Sequence, residues 1–253
     1  MSADATLRIA MWSGPRNIST AMMRAFENRP DTDVVDEPFY AAYLAATGLD
    51  HPMRDAVLAS QPTDWRKVVE TLSGPAPGGA PVFYQKHMTH HMLPEMGTDW
   101  TRACRNVFLI RHPARVLASY VEKRETAVLA DIGVARQLEL FEQEADLLGH
   151  APPVIDSADV LRSPEAALRA LCAALDLPFR AEMLSWPAGR RASDGVWAPA
   201  WYDQVERSTG FQDRPEGALP VLPPALARVA EAAEPCYAAL ARWRLEVQPT
   251  SRP

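Results

Sequence analysis

The sequence predicts an α/β protein of three layers, with a mainly parallel central sheet flanked by helices. Short apolar runs alternate with helical patterns along the chain, the order expected of a parallel sheet wrapped by helices. Residues 7–26, LRIAMWSGPRNISTAMMRAF, read as a buried strand, a tight turn at Ser13-Gly14-Pro15 and a helix opening on polar residues. The 253 residues, 47% of them hydrophobic, suffice to bury one substantial core. No repeat, low-complexity tract or domain boundary stands out, so residues 1–253 are read as one domain.

After the first strand–turn–helix, DVVD at 33–36 reads as a short strand ending at Glu37-Pro38. Residues 39–72 are helical in pattern, interrupted near Pro52 and Pro62, and the Pro/Gly-rich piece 74–81 is a surface loop. A strand at 82–85 delivers Lys86 and His87 to its end, and NVFLI at 106–110 is the clearest buried strand. Pro113 then opens a helix at a position proline favours. One long amphipathic helix is expected over 131–149, a short strand at 154–155, and a helix from Ser163-Pro164-Glu165 to 175. Residues 178–210 look irregular but rich in Trp, Gly and Arg, which points to a functional loop. A last helix spans about 224–244.

A net charge of −6 argues against nucleic acid as the main partner, so any anion site must be local. Cys104, Cys172 and Cys236 are odd in number and lack metal spacing, which fits reduced thiols in the cytoplasm rather than a disulfide framework. No apolar run follows a basic start, and none approaches the ~20 residues that span a bilayer. A soluble cytoplasmic protein with no membrane span is the expectation.

The turn after the first strand aims backbone N–H groups and a helix dipole at one point, where phosphates bind. Arg16, Ser19 and Thr20 add charge and hydroxyls there. Setting G-x-x-x-x-G-K-[ST] on Gly14 puts Ser19 at the second glycine and Thr20 at the lysine, so the cradle is P-loop-like without the lysine of an ATP site. A second anion candidate follows the strongest strand. Arg111 sits at the carboxyl end of a parallel strand, where open α/β sheets place ligands, and Ser119 lies about two turns into the helix. The plain alternative is an arginine capping the sheet edge and a buried serine. Two such sites after two strands point to a nucleotide with phosphates at both ends.

At these residues the chain resembles the sulfotransferases that use 3′-phosphoadenosine-5′-phosphosulfate (PAPS). Pro15-Arg16-Asn17-Ile18-Ser19-Thr20 matches the family's P-[KR]-S-G-[ST]-[ST] motif, which holds the 5′-phosphosulfate. Arg111-His112-Pro113 with Ser119 matches R-x-P-x-x-x-x-x-S in full, the motif for the 3′-phosphate. Asp159-Val160-Leu161, then Ser163-Pro164 and Asp176-Leu177-Pro178, are similar to a further family stretch. Arg190-Arg191 with Gly195-Val196-Trp197 resembles the basic loop that closes over the nucleotide. The chain departs at Asn17 and Ile18, where the family prefers Ser-Gly; N–H donation survives there if Ile18 has helical φ/ψ, but closer backbone approach is blocked, which leaves room for altered or weakened cofactor use.

The resemblance implies a P-loop-like nucleotide-binding fold and transfer of a sulfuryl group to a hydroxyl or amine of a small-molecule acceptor. It also implies adenosine 3′,5′-bisphosphate as product, with no metal required. Gly14 and the cradle residues, Arg111, Ser119, Arg190, Arg191, Gly195 and Trp197 are then the donor contacts. Arg16 and Lys86 take the electrostatic role. For the base, Glu37 stands first and His87 second, ahead of His90, His91 or none. Met88 occupies the place of the family's histidine in K-T-H. His87, His90 and His91 lack a third spaced ligand group and are not read as a metal site. Two alternatives stay open: a nucleotide-dependent kinase or phosphotransferase, and a non-catalytic nucleotide-binding relative with the same fold.

Overall fold

The computed structural model describes residues 6–121, 127–212 and 216–248; the ends of the expected single domain, 1–5 and 249–253, lie outside them. Five parallel strands form the sheet: β1 (Leu7–Ser13), β2 (Thr32–Asp36), β3 (Val82–Met88), β4 (Cys104–Ile110) and β5 (Val154–Asp156), in spatial order β2-β3-β1-β4-β5. All four pairings are parallel, with Trp12 facing His87 on one side and Phe108 on the other. Every strand therefore ends on the same edge of the sheet.

Alternation along β1 sends its side chains into two cores, as a strand covered on both faces requires. Ile9 and Met11 join Met22, Met23 and Phe26 of α1 (Ser19–Glu27) and Leu168 and Leu171 of α8 (Pro164–Ala174). Ala10 and Trp12 face the other layer, with Leu117 of α5 (Pro113–Tyr120), Leu140 of α7 (Val134–Leu148) and Leu240 of α9 (Pro224–Ala241). A third cluster forms beyond the end of β2, where α2 (Tyr40–Thr47) and α3 (Arg54–Ser60) pack with Trp197 and Tyr202. The stretch expected to be helical from 39 to 72 is thus α2, α3 and α4 (Trp65–Ser73).

Two differences from expectation shape the site. The helix expected over 131–149 breaks at Gly133, which is left-handed (φ 66°), into α6 (Leu129–Ile132) and α7. A side chain at Gly133 would crowd Thr89 Oγ1, which donates to the Gly133 carbonyl. That turn brings the Ile132 carbonyl against Gly14, where any Cβ would collide with it. Strand β3 also runs to Met88 rather than stopping at 85, so Lys86 and His87 lie inside the strand and point to opposite faces. Among the described residues no helix is long and apolar enough to cross a membrane.

Candidate active site

One cavity of about 680 Å³ opens at the carboxyl ends of β1–β4. Its first wall is the turn between β1 and α1. Arg16 (φ 60°) and Ile18 (φ 58°) are left-handed while Asn17 between them is not, an alternation that makes concave anion sites from successive N–H groups. Asn17 fixes the turn by donating from Nδ2 to the Leu109 carbonyl at 3.1 Å. No side chain caps the start of α1, and no acidic residue lies in its first turn, so its leading N–H groups face the cleft unneutralised.

The second wall comes from the end of β4 and α5. Arg111 Nη1 donates to the Arg16 carbonyl at 2.8 Å, and Arg16 Nε donates to Ser119 Oγ at 2.9 Å. The two candidate phosphate elements therefore belong to one continuous surface. The start of α5 is less open than that of α1, because His112 Nδ1 accepts from the Ala114 N–H. Arg111 and Arg115 both reach Glu216 of the chain beyond 210.

Between the walls lies a buried ion cluster. The Lys86 ammonium donates to Asp36 Oδ1 (2.8 Å), Glu37 Oε1 (2.7 Å) and the Tyr202 hydroxyl (2.6 Å), which uses all three of its protons. Tyr202 accepts also from Trp197 Nε1 and donates to Asp36. One ammonium thus faces two carboxylates. Burial opposes its charge, but Asp36 and Glu37 outweigh burial and raise its pKa well above the usual value. Burial raises the Glu37 carboxyl, with Asp36 adding and Lys86 opposing. Glu37 itself holds a left-handed backbone (φ 41°), a conformation that costs a non-glycine residue about 1–3 kcal/mol.

Beyond Glu37 the cavity is lined by rings. Tyr40 stacks on His91 with centroids 4.4 Å apart, and its hydroxyl bonds His51 Nδ1 at 2.9 Å. Burial, with the neighbouring imidazoles and Lys86, holds His91 well below its usual pKa, so it stays neutral at pH 7. Trp201, Tyr202 and Val205 close the chamber.

Residues 7–243 match the family model described as the sulfotransferase domain. The chain belongs to that family. The sulfotransferase domain of the Synechococcus PCC 7002 olefin synthase shares the fold at TM-score 0.52 and 16% identity, covering 92% of this chain and 96% of that one. The Alicyclobacillus acidocaldarius sulfotransferase does so at TM-score 0.54 and 13% identity, covering 94% and 95%. Two curated Arabidopsis thaliana proteins, named branched-chain-amino-acid aminotransferase-like protein 1 and 2, are 39% and 37% identical over 203 residues. Those residues are 80% of this chain but 36% of each relative, so the chain spans about a third of their length.

Within this sulfotransferase-family cleft stand Pro15 to Thr20, Glu37, Lys86, Arg111 and Ser119, with Gly14 directly behind the turn. His90 and His91 form its wall in a short 3-10 turn. Other expected residues lie elsewhere. His87 stacks on Trp12 at 4.4 Å on the opposite face of the sheet, and burial depresses its pKa to about 3, which removes it from the position of a base. Arg190 and Arg191 do not line the cleft. Arg191 lies toward Glu27, and the loop beside it is pinned there by Asp194 on Arg24 and Ser193 on Glu27. Gly195 and Trp197 support the ion cluster from behind: the Gly195 N–H donates to Asp36, and the Trp197 indole fills the space a Gly195 side chain would need. Ile18 is left-handed, so the condition of helical φ/ψ is not met at that departure. Among the described residues no three His, Cys, Asp or Glu side chains come together as a metal site.

Sequence reasoning did not single out Asp36, Tyr202, His51 or Glu216 as site residues. Asp36 carried the only local signal, adjacent to Glu37 at the end of a strand.

Proposed function

We propose that this chain transfers a sulfuryl group from PAPS to a hydroxyl or amine of a small molecule, releasing adenosine 3′,5′-bisphosphate. The observation that supports it is the joining of two anion-binding elements, Pro15–Thr20 and Arg111–Ser119, with the Glu37–Lys86 pair in the same cleft. The uncapped start of α1 fits a phosphosulfate, and the guanidinium of Arg111 fits a 3′-phosphate monoester. The donor supplies an activated sulfuryl group with a good phosphate leaving group.

In this reading Glu37 accepts the proton of the attacking hydroxyl or amine. Burial raises its pKa, which makes it a stronger base than an ordinary glutamate and so favours that role. A new bond forms from the acceptor atom to sulfur, and the sulfur–oxygen bond to the 5′-phosphate breaks with its electron pair. Arg16 and Lys86 face the growing phosphate charge. Lys86 begins with every proton engaged, but protonation of Glu37 weakens one of those bonds and frees a donor for the leaving group. Two carboxylates on one ammonium disfavour an anionic acceptor, and the rings of Tyr40, Trp201 and Tyr202 favour a flat, uncharged or cationic one.

Calorimetric titration with adenosine 3′,5′-bisphosphate and with ATP, each with and without Mg²⁺, tests this. Tight Mg²⁺-independent binding of the bisphosphate is expected, followed by turnover of PAPS with phenols or aryl amines. A preference for Mg·ATP would replace this reading with the phosphotransferase one.

A further inference from the structure

The Glu216 carboxylate sits across both arginines of the second wall. One oxygen pairs with Arg111 Nη2 and the other lies 3.1 Å from Arg115 Nε, while Arg115 Nη2 donates to the neighbouring Gly217 carbonyl. Glu216 and Gly217 line the same cavity as the cradle. The carboxylate spans both guanidinium groups, yet among the described residues its Oε2 is buried without a hydrogen bond, so it meets these planar donors less fully than the three oxygens of a phosphate would. It leaves one donor over, since Arg111 Nε is buried with no hydrogen-bond partner among the described residues.

We propose that Glu216 is a built-in competitor for the 3′-phosphate: it occupies the Arg111–Arg115 pair between turnovers and must be exchanged for the nucleotide's phosphate. The proposal rests on the reading of the donor as a 3′-phosphorylated nucleotide. A phosphate monoester near neutral pH carries more charge than a carboxylate and three acceptor oxygens, so it wins the exchange and reaches the donor that Glu216 leaves unmet. Returning after transfer, the carboxylate helps expel adenosine 3′,5′-bisphosphate, and product release is the step that limits turnover in many enzymes. A nucleotide without a 3′-phosphate has nothing to exchange and leaves Glu216 in place. Glu216 thereby lowers affinity for donor and product alike, and only through the 3′-phosphate.

The test compares wild type with Glu216→Gln and Glu216→Asp by calorimetric titration of adenosine 3′,5′-bisphosphate and of adenosine 5′-monophosphate, with melting temperature recorded alongside. Glu216→Gln is expected to bind the bisphosphate about tenfold or more tightly, with 5′-monophosphate affinity unchanged. Glu216→Asp, one methylene short of its partners, falls between. With PAPS as substrate, inhibition by the bisphosphate product deepens in Glu216→Gln. Equal bisphosphate affinity in all three proteins overturns the proposal while leaving the donor reading intact. A parallel change for both nucleotides also overturns it, since that marks a general loosening of the cleft. If neither wild type nor variant binds the bisphosphate, the donor reading fails and the proposal falls with it.

Discussion

Glu37 Oε1 lies 2.7 Å from Lys86 Nζ, which couples the carboxylate just past β2 to an ammonium borne inside β3. The adjacent strands make the pairing unavoidable. In register, Asp36 sits beside Lys86, and the Glu37 N–H donates to the Lys86 carbonyl at 3.0 Å. Whatever one of these side chains does in a reaction alters the proton balance of the other.

That coupling gives the first prediction. Glu37 must be ionised to accept a proton, and burial raises its pKa. Turnover is therefore expected to fall as pH drops through that raised value, in an acid limb displaced upward from an ordinary glutamate. Glu37→Gln should lose ~10²-fold or more in kcat and lose the acid limb, while bisphosphate binding is kept. A variant with the same limb and near-normal kcat would move the base elsewhere, with His90 on the cleft wall next in line.

Lys86 carries the second. Its side chain is 1% exposed, as is that of Asp36, so Lys86→Met leaves two buried carboxylates with no counter-charge. Breaking a buried pair from one side costs about 3–5 kcal/mol, whereas removing both members is far milder. Denaturant unfolding should show Lys86→Met strongly destabilised and Lys86→Met/Asp36→Asn partly recovered, with Glu37 still lacking its counter-charge. Additive losses in the double variant would show that the two do not interact.

The third concerns Arg111. Its guanidinium braces the Arg16 carbonyl and meets Glu216, so it touches both the cradle and the carboxylate opposite. Arg111→Ala should remove the preference for adenosine 3′,5′-bisphosphate over adenosine 5′-monophosphate. An affinity ratio that stays at its wild-type value in the variant would place the 3′-phosphate elsewhere.

The parts of this site that sequence discloses are those in which strand, turn and helix are contiguous. The unit from β1 to α1, and the unit from β4 through Arg111 and Pro113 to α5, announce themselves because an apolar run and a helix start lie within a few residues of each other. Tyr202 and Glu216 belong to segments with no hydrophobic period, and they reach the cleft through tertiary contacts that no local pattern encodes. Arg190 and Arg191 show the converse. Their composition suits a nucleotide, yet Glu27 and Asp194 hold that loop against α1, away from the cleft. The face that His87 adopts depended on three further residues of β3, an extension of the size by which element ends read from sequence commonly err.

Placement of His87 on that opposite face yields a prediction about stability rather than rate. Its folded pKa is lowered to about 3 from an ordinary 6.5 by burial. The unfolded chain therefore binds a proton that the folded chain refuses between those values, so stability present above pH 6.5 is lost as pH falls toward 3. The slope from one such group approaches about 1.4 kcal/mol per pH unit. His87→Phe, which retains a ring to stack on Trp12, should flatten this part of the acid unfolding profile and leave kcat at pH 7.5 within about threefold. A large loss of kcat in a folded His87→Phe variant would return the imidazole to the chemistry.

The last prediction concerns Ile18, a β-branched residue held at φ 58° where the family prefers glycine. Left-handed geometry costs such a residue about 1–3 kcal/mol, and its partial packing against the core beneath α1 offsets that in part. Ile18→Gly removes both terms, so its net effect on stability should stay within about 1 kcal/mol. Met22→Ala, at a wholly buried position one turn on, should cost about 2–5 kcal/mol. Because the glycine also lets a ligand approach the turn more closely, Ile18→Gly is expected to bind adenosine 3′,5′-bisphosphate at least as tightly as wild type. Weaker binding would mean that the isoleucine side chain itself holds the turn in its anion-binding shape, and that the left-handed backbone at 18 is maintained by packing rather than tolerated in spite of it.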